Sequence, residues 1–271
     1  MTAEKVTLTE EKETLLATLY GRALDSKTKD PILGDRSAAD AVGRIDYDFR
    51  KAKITPFTAA GVAMRAKLLD DWTVKFLVEH PEATVLHLAC GLDTRVERLA
   101  PAPIVRWYDV DYPEVIELRE RLYPKRDNYQ MIGSSVTAEG WLEQLPADRP
   151  VVVVAEGLSM YLTESDGKRL IQRITGHFPS GQLLFDAYNL RGIKMQNRIP
   201  AVRNAGAKLH WAINDPTELE RLHPSLRCVT AISGFNVPGR EKLPLRYQLG
   251  VRLVGLIPAI KNISKLLRYR F

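Results

Sequence analysis

Four consecutive valines, Val151 to Val154, are the feature that most narrows the fold of this chain. β-Branched side chains favour extended strands, and a strand with apolar side chains on both faces must be covered on both faces. Such strands are typical of parallel sheets with helices packed on either side. Glu156 follows the run. A carboxylate directly after a strand that is buried on both faces is not expected to be only a surface charge.

Short apolar runs bounded by polar residues, proline or glycine recur along the chain. Together with the valine run they predict six strands, at 83–89, 104–111, 129–134, 150–157, 181–188 and 226–233. Segments with apolar residues at three- and four-residue spacing predict crossover helices between them, at 94–100, 113–124, around 140–145 and at 164–178. This alternation predicts an α/β fold with a parallel, doubly wound sheet.

Local signals refine these elements. Pro113 suits a first helical turn, and Thr163 with Asp166 three residues later resembles a helix cap. The closing run LLRYRF alternates as a seventh strand would.

The chain of 271 residues is predicted to form one domain with four parts. A helical cap at 1–80 contains amphipathic helices at 10–24 and 57–80, and a ligand-binding core follows at 81–188. A long segment of mixed polarity at 189–225 predicts an insertion, or lid, after the fifth strand. Residues 226–271 complete the domain.

Composition excludes several classes of protein. The 39 basic residues lie among 33 acidic ones without a polybasic arm, so nucleic acid is not an expected partner. The apolar run near the C-terminus is interrupted by Arg252 and Pro258, so no membrane partner is expected. Two cysteines, Cys90 and Cys228, predict neither a disulfide framework nor a metal site. With no secretory signal at the N-terminus, we expect a cytoplasmic protein of undetermined oligomeric state.

The turn after the first predicted strand reads Ala89-Cys90-Gly91. Small side chains allow the backbone to approach a bulky ligand, and Gly91 best tolerates a positive φ. Asp111 lies 20 residues beyond Gly91 at the end of the second strand, the spacing expected of an acid that binds ribose hydroxyls. Asp109, on the same face of that strand, competes for this role.

The turn lacks the G-x-G-x-x-G pattern of dinucleotide enzymes, since Ala89 and Thr94 replace the first and third glycines. The residues therefore favour an adenosyl ligand over a pyrophosphate.

With these residues in place, the sequence resembles the leucine carboxyl methyltransferase family, in its bacterial branch of polyketide O-methyltransferases of the tetracenomycin type. The blocks that carry the likeness are LYGRALDSKTKDPILGD (19–35), RIDYDF (44–49), MRAKLLD (64–70), LACGLDTR (88–95), WYDVDYPEVI (107–116), VVVVAEGLSMYLT (151–163), WAINDP (211–216) and LLRYRF (266–271). The resemblance implies a Rossmann-like class I fold, a seven-stranded sheet and S-adenosylmethionine as cofactor.

The resemblance also implies roles for individual residues. Arg65 matches the basic residue for the cofactor's methionine carboxylate, which a guanidinium can grip with two hydrogen bonds, and Arg22 is a second candidate. Gly91 and Asp111 match cofactor-binding positions, and Glu156 matches a glutamate near the reactive centre. A solvated Arg65 and a structural ion pair between Glu156 and the cap are the alternatives.

Further cofactor contacts come from the neighbouring turns. Ala89 stands where the family usually has glycine, beside Cys90, and its methyl group would crowd the cofactor slightly. Ser135 and Val136, after the third strand, are the candidates to contact adenine. Asp93 and Arg95 are expected to brace the turn or contact the cap.

Methyl transfer from a sulfonium is an in-line displacement, so alignment of the acceptor matters most. A carboxylate acceptor needs no general base, whereas a hydroxyl is helped by one. His210 and Tyr161 are the candidate catalytic residues, and Arg203, Trp211 and Tyr188 are the candidates for substrate binding.

The hypothesis is O-methylation of a carboxylate or hydroxyl on a small aromatic or polyketide-like metabolite. Methylation of a protein C-terminal carboxylate is the alternative within the family. A nucleotide-binding oxidoreductase is an alternative from another class, opposed by the missing glycine pattern.

Overall fold

The structure is a computed structural model that describes residues 4–5, 14–198 and 208–271. Within these ranges the strands are β1 (Glu4–Lys5), β2 (Ile45–Asp46), β3 (Thr84–Leu88), β4 (Arg106–Asp111), β5 (Tyr129–Gly133), β6 (Val151–Ala155), β7 (Gly181–Tyr188), β8 (Arg227–Ser233) and β9 (Ser264–Arg270). β1 and β2 form a small parallel pair, and the other seven strands form one sheet. All six predicted strands are confirmed.

The order of the large sheet is β5-β4-β3-β6-β7-β9-β8. The strands from β3 to β7 pair in parallel, while β9 runs antiparallel between β7 and β8. The alternating LLRYRF run is therefore the seventh strand. The predicted fold class, a seven-stranded, mostly parallel Rossmann-like sheet, is confirmed, and the reversal of strand order lies between β3 and β6.

Helices connect and cover the strands. The described ones are α1 (Thr14–Ser26), α2 (Arg36–Arg44), α3 (Pro56–Glu79), α4 (Arg95–Leu99), α5 (Pro113–Leu122), α6 (Glu164–His177), α7 (Leu190–Gln196), α8 (Leu245–Gly255) and α9 (Pro258–Lys261). α5 begins at Pro113, and the Thr163 hydroxyl oxygen caps α6 by accepting from the backbone N–H of Asp166 over 3.1 Å. Both predicted helix starts are confirmed.

The predicted helix around 140–145 is wrong. This segment consists of turns, and Gly140 has a φ of +89°, which a right-handed helix does not allow. Trp141, Leu142 and Leu145 are buried in the core beneath these turns. The helix-like spacing of these apolar residues therefore comes from a loop whose side chains point into the core.

The valine strand is covered on both faces, as its sequence requires. Val151 and Val153 share a core cluster with Leu170 and Ile174 of α6. Val152 and Val154 belong to a second cluster with α3, which contributes Trp72 among others. The predicted N-terminal helices are confirmed in their described part as α1 and α3, which pack against each other. None of the helices in the described ranges is long and apolar enough to cross a membrane.

The segment after β7 is anchored to the core where the structure describes it. α7 follows the strand, and after residues 199–207, outside the described ranges, Leu209 and Ile213 are buried. The backbone N–H of Ile213 donates to the carbonyl of Tyr188 over 2.9 Å. Among the described residues Ile213 is therefore tied to the end of β7, and the predicted lid at 189–225 stays a prediction.

Candidate active site

One cavity of about 580 Å³ opens at the carboxyl ends of the central parallel strands. It brings together residues that lie far apart in the sequence. The predicted site residues that line it are Arg22, Arg65, Ala89, Cys90, Gly91, Asp111, Ser135, Val136, Glu156, Tyr161, Tyr188 and His210. Its place beside the reversal of strand order is where doubly wound sheets bind ligands.

The loop after β3 takes a left-handed path twice within three residues. Gly91 has a φ of +51°, as its type suggested, and Ala89 has a φ of +47°. An L-residue with a Cβ is strained in this region. The cost of alanine at position 89 thus includes backbone strain, in addition to the expected crowding of the ligand.

Asp111 ends β4 at the edge of the cavity. Its Oδ2 accepts from the backbone N–H of Gly91 and its Oδ1 from that of Tyr112, each over 2.7 Å. These bonds hold the carboxylate against the loop after β3, and each oxygen keeps capacity for a further donor. Burial raises the pKa of Asp111, and the N–H donors offset part of this rise.

Asp109, the competing acid, lies in the interior and is not part of the cavity lining. Its carboxylate accepts from Nε1 of Trp107 over 2.8 Å and from the hydroxyl of Tyr129 over 2.7 Å, and it pairs with Arg119. Burial raises the pKa of Asp109, but Arg119 and His87 lower it further, to about 2. Of these two competing acids, Asp111 is therefore the one that lines the cavity.

Glu156 sits in an ion-pair network as well as in the cavity wall. Its Oε1 accepts from Nε of Arg65 over 3.0 Å and its Oε2 from Nη2 of Arg95 over 2.6 Å. Burial raises the pKa of Glu156, but Arg65 and Arg95 lower it below its usual value. The ion pair with the cap, considered as an alternative from sequence, is present.

Arg65 forms hydrogen-bonded ion pairs with two acids, whereas Arg22 approaches two acids without a hydrogen bond. Besides Glu156, Arg65 binds Asp186, whose Oδ2 accepts from Nη1 over 3.0 Å. Arg22 lies 3.7 Å from both Asp93 and Glu156, and its buried Nε has no hydrogen-bond partner among the described residues. Arg22, the weaker candidate from sequence, is thus the cavity arginine with an unmet donor.

Asp186 and His87 take part in the site although sequence reasoning did not assign them to it. Asp186 orients Arg65 and accepts from the backbone N–H of Gly157 over 2.6 Å. An acid within the buried strand β7 was the available signal. His87 lines the cavity, but its Nδ1 contacts Asp109 at 3.1 Å and its Nε2 contacts Arg95 at 3.2 Å.

The structure places three of the candidate catalytic and substrate-binding residues in the cavity wall. Tyr161, Tyr188 and His210 line the cavity, and the backbone N–H of His210 donates to the carbonyl of Met160 over 2.8 Å. Burial raises the pKa of Tyr188 to about 12. Arg203 lies outside the described residues.

The structure places Trp211, a candidate for substrate binding, in the core and not at the cavity. Its side chain is 4% exposed, belongs to the core cluster under α6 and is not in the cavity wall. It packs so closely on Gly167 that a Cβ there would come within 2.1 Å of the ring. Residues 209, 211 and 213 all point inward, so alternation of this extended segment leaves His210 exposed.

Comparison with known proteins gives the family. The model that describes leucine carboxyl methyltransferases matches residues 4–175. The chain belongs to this family.

Individual relatives agree with the assignment. The chain is 44% identical over 269 residues to the tetracenomycin polyketide synthesis O-methyltransferase TcmP of Streptomyces glaucescens, covering 99% of each protein. It is 37% identical over 244 residues to the S-adenosyl-L-methionine-dependent methyltransferase dpfgK of Gibberella zeae, covering 82% of each. A DUF574 family protein from Streptomyces avermitilis has a similar fold, with a TM-score of 0.59, 15% identity and coverage of 94% of this chain and 96% of that one.

This member of the leucine carboxyl methyltransferase family is an O-methyltransferase that uses S-adenosylmethionine. Its cavity fits the cofactor on physical grounds. Buried atoms of Arg22 and Asp93 have unmet hydrogen-bonding capacity in the described structure, and Asp111 presents a fixed carboxylate. Such groups suit the charged amino-acid end and the ribose hydroxyls of the cofactor, respectively.

Proposed function

We propose that this enzyme methylates a carboxylate oxygen of a small aromatic or polyketide-like metabolite. The family description and the name of the Streptomyces glaucescens relative support this acceptor class. A cavity of about 580 Å³ suits a small ligand better than a folded protein surface. The observation that favours a carboxylate acceptor over a hydroxyl is that Tyr188 and His87 in the cavity wall are poorly suited to accept a proton.

Two of the aromatic groups in the cavity wall are poorly suited to remove a proton from an acceptor. Tyr188 has a pKa raised to about 12, so its hydroxyl stays protonated near neutral pH. His87 already uses both ring nitrogens in contacts with Asp109 and Arg95. A carboxylate acceptor is ionised at neutral pH and needs no base.

The cofactor supplies an electrophilic methyl carbon on a sulfonium sulfur. Asp111 accepts from the ribose hydroxyls, and Ser135 and Val136 contact the adenine. Arg65 and Arg22 present guanidinium groups to the methionine carboxylate. The buried apolar side chains of Leu158 and Met160 in the cavity wall would help to align the acceptor, which is the main requirement of an in-line displacement.

A hydroxyl acceptor is the second candidate, and the observation that favours it is the exposed His210 in the cavity wall. In that reaction His210 would take the acceptor proton. Replacement by asparagine would then lower kcat by about 10²-fold to 10⁴-fold. For a carboxylate acceptor, the same variant should keep kcat within about 2-fold of the wild type, because no proton is removed.

A methyl-transfer assay with matched acceptors separates the candidates. The set is a hydroxy-substituted aromatic acid, the same compound with its carboxylate replaced by an amide, the same acid with its hydroxyl capped as a methyl ether, and a peptide with a free C-terminal leucine. Carboxylate methylation predicts turnover of the acid and the ether only. Turnover of the amide would instead show hydroxyl methylation, and turnover of the peptide alone would show the protein-directed alternative.

A further inference from the structure

The outer face of α8 exposes a row of leucines, here called the leucine ridge. Each keeps 52–71% of its surface accessible, and its members are Leu245, Leu249, Leu253 and Leu256. Residues three or four apart lie one above the other on a helix, so these side chains form one continuous ridge along α8 and its last turn. A single exposed leucine is ordinary, but a contiguous exposed apolar surface is typical of a binding surface.

The opposite face of α8 fixes the helix on the protein. Tyr247 and Val251 pack against the core cluster shared by α3 and the valine strand, and the ring of Tyr247 lies 5.3 Å from that of Phe57. The side-chain amide of Gln248 donates to the carbonyl of Leu243 over 2.7 Å. The helix therefore cannot turn its leucines inward without losing these contacts.

Arginines border the leucine ridge on both sides. Because successive residues are about 100° apart around a helix axis, Arg252 lies about 20° from Leu245 on one side of the ridge. Arg246 lies about 20° from Leu253 on the other side. Both arginines are exposed. Arg252 interrupts the apolar run along the sequence, but in the helix it stands beside the leucines and leaves the ridge intact.

The charge around the leucine ridge favours an anionic partner. Residues 242–271 carry seven basic side chains and neither aspartate nor glutamate. A second copy of α8 on the ridge would bring arginines together without an acid of this segment to offset them. A stable dimer also buries about 800 Å² of each partner, more than one face of a helix about 16 Å long offers.

We propose that α8 lies on an anionic lipid surface, with the leucine ridge in the apolar layer and Arg246 and Arg252 at the headgroup phosphates. Amphipathic helices in the plane of a membrane surface place basic residues beside an apolar face in this way. Long arginine side chains reach the phosphates while the neighbouring leucines enter the apolar layer. The sequence argues against a membrane partner because its apolar run is interrupted, but a helix that lies in the plane of the surface needs no uninterrupted run.

Co-sedimentation with lipid vesicles tests the proposal. The probes are vesicles of phosphatidylcholine and vesicles of phosphatidylglycerol and phosphatidylcholine in equal parts. Wild-type protein should bind the anionic vesicles about 30-fold more tightly, because two arginines approach the charged surface. Added salt should weaken this preference, since it screens exposed charges.

Two double variants separate the leucines from the arginines. Leu249→Gln/Leu253→Gln should weaken binding to the anionic vesicles by at least about 10-fold, because it removes the centre of the leucine ridge. Arg246→Gln/Arg252→Gln should abolish the preference for anionic lipid. Both variants should keep the thermal unfolding and the lipid-free methyl-transfer rate of the wild type, since all four residues are exposed and lie outside the cavity wall.

Lys75→Gln/Val78→Gln is the matched control. It removes one exposed cation and one exposed apolar side chain near the end of α3 that lies away from Phe57. This variant should bind both kinds of vesicle as the wild type does. An equal loss of affinity in the control and in the α8 variants would assign the attraction to the net positive charge of the protein and overturn the proposal. Failure of the wild type to bind anionic vesicles would overturn it as well.

Sedimentation equilibrium without lipid tests whether a second copy covers the leucine ridge. We expect the same mass for the wild type and for Leu249→Gln/Leu253→Gln. A wild-type dimer that this variant dissociates would assign the ridge to a second copy and overturn the proposal. The lipid experiment does not depend on the methyl acceptor, so its outcome is independent of the proposed function.

Discussion

Nη1 of Arg119 donates a hydrogen bond to the carbonyl oxygen of Gly91 over 2.8 Å. The same nitrogen donates to the carbonyl of Asp93 over 2.8 Å, and Nη2 pairs with the buried Asp109. A fully buried arginine on α5 therefore ties the loop after β3 to the interior of β4. The loop that borders the cavity is held by a side chain that is not part of the cavity wall.

Arg119→Lys should weaken this loop, because an ammonium cannot reproduce the planar fork of donors. We expect the free energy of unfolding to fall by about 2–4 kcal/mol, since Asp109 loses much of its pairing. Affinity for S-adenosylhomocysteine should fall about 10-fold. Urea unfolding and calorimetry measure the two effects. Arg121→Lys, an exposed substitution on the same helix, should change neither the stability nor the affinity. An unaltered affinity in Arg119→Lys would show that the loop after β3 keeps its conformation without Arg119.

Asp111→Ala should weaken S-adenosylhomocysteine binding by about 1.5–3 kcal/mol, because the ribose hydroxyls lose a charged acceptor. Asp109→Ala should act mainly on stability, since it leaves Arg119 buried without its carboxylate. Calorimetry paired with thermal unfolding separates the two variants. Unchanged affinity in the first, with a specific loss of affinity in a folded Asp109→Ala protein, would mean that Asp109 is the ribose acid.

Ala89→Gly should stabilise the protein, because glycine takes a φ of +47° without strain. Relief of about 1–2 kcal/mol of strain exceeds the added entropy of the unfolded chain, leaving a net gain of about 1 kcal/mol. The control is Ala39→Gly in the right-handed helix α2, which should cost about 0.5–1 kcal/mol. Chemical unfolding gives both values. A destabilised Ala89→Gly protein would show that the methyl group makes packing contacts that outweigh the strain.

Trp211→Ala should lower the free energy of unfolding by about 3–5 kcal/mol, because it empties a packed site under α6. The KM for the methyl acceptor should stay within about 2-fold of the wild type. His210 is one residue away and exposed. His210→Ala should therefore raise the KM for the methyl acceptor and change the free energy of unfolding little. A large rise in KM for a stable Trp211→Ala protein would restore Trp211 as a substrate contact.

Asp109 should make the free energy of unfolding fall as the pH is lowered into the acid range. Its folded pKa of about 2 lies below the value of about 3.9 expected in an unfolded chain. A lowered pKa contributes stability that is complete above the unfolded value and is lost as the pH falls towards the folded one. The stability difference between wild type and Asp109→Asn should therefore shrink by about 2 kcal/mol between pH 6 and pH 2. A constant difference in urea unfolding would contradict this.

Much of the fold and part of the candidate site could be read from local patterns. The run of valines, the alternating LLRYRF segment and the cap at Thr163 each depend on neighbours within a few residues, so their structures were predictable. The position of Asp111 at the cavity followed from its place at a strand end. The proposed ligand roles of these residues remain predictions that the binding experiments address.

The amino-acid sequence by itself determined the strands, the order in which they alternate with helices and the family of this protein, because these follow from periodicity and from residues close together in the chain. Only the tertiary structure decided that Trp211 fills the core, that Ala89 is left-handed and that residues 140–145 are turns. It also brought Arg22 to Asp93 across 71 positions of the chain, from 22 to 93. Contacts between distant segments set which buried atoms find partners, and local patterns carry no record of them.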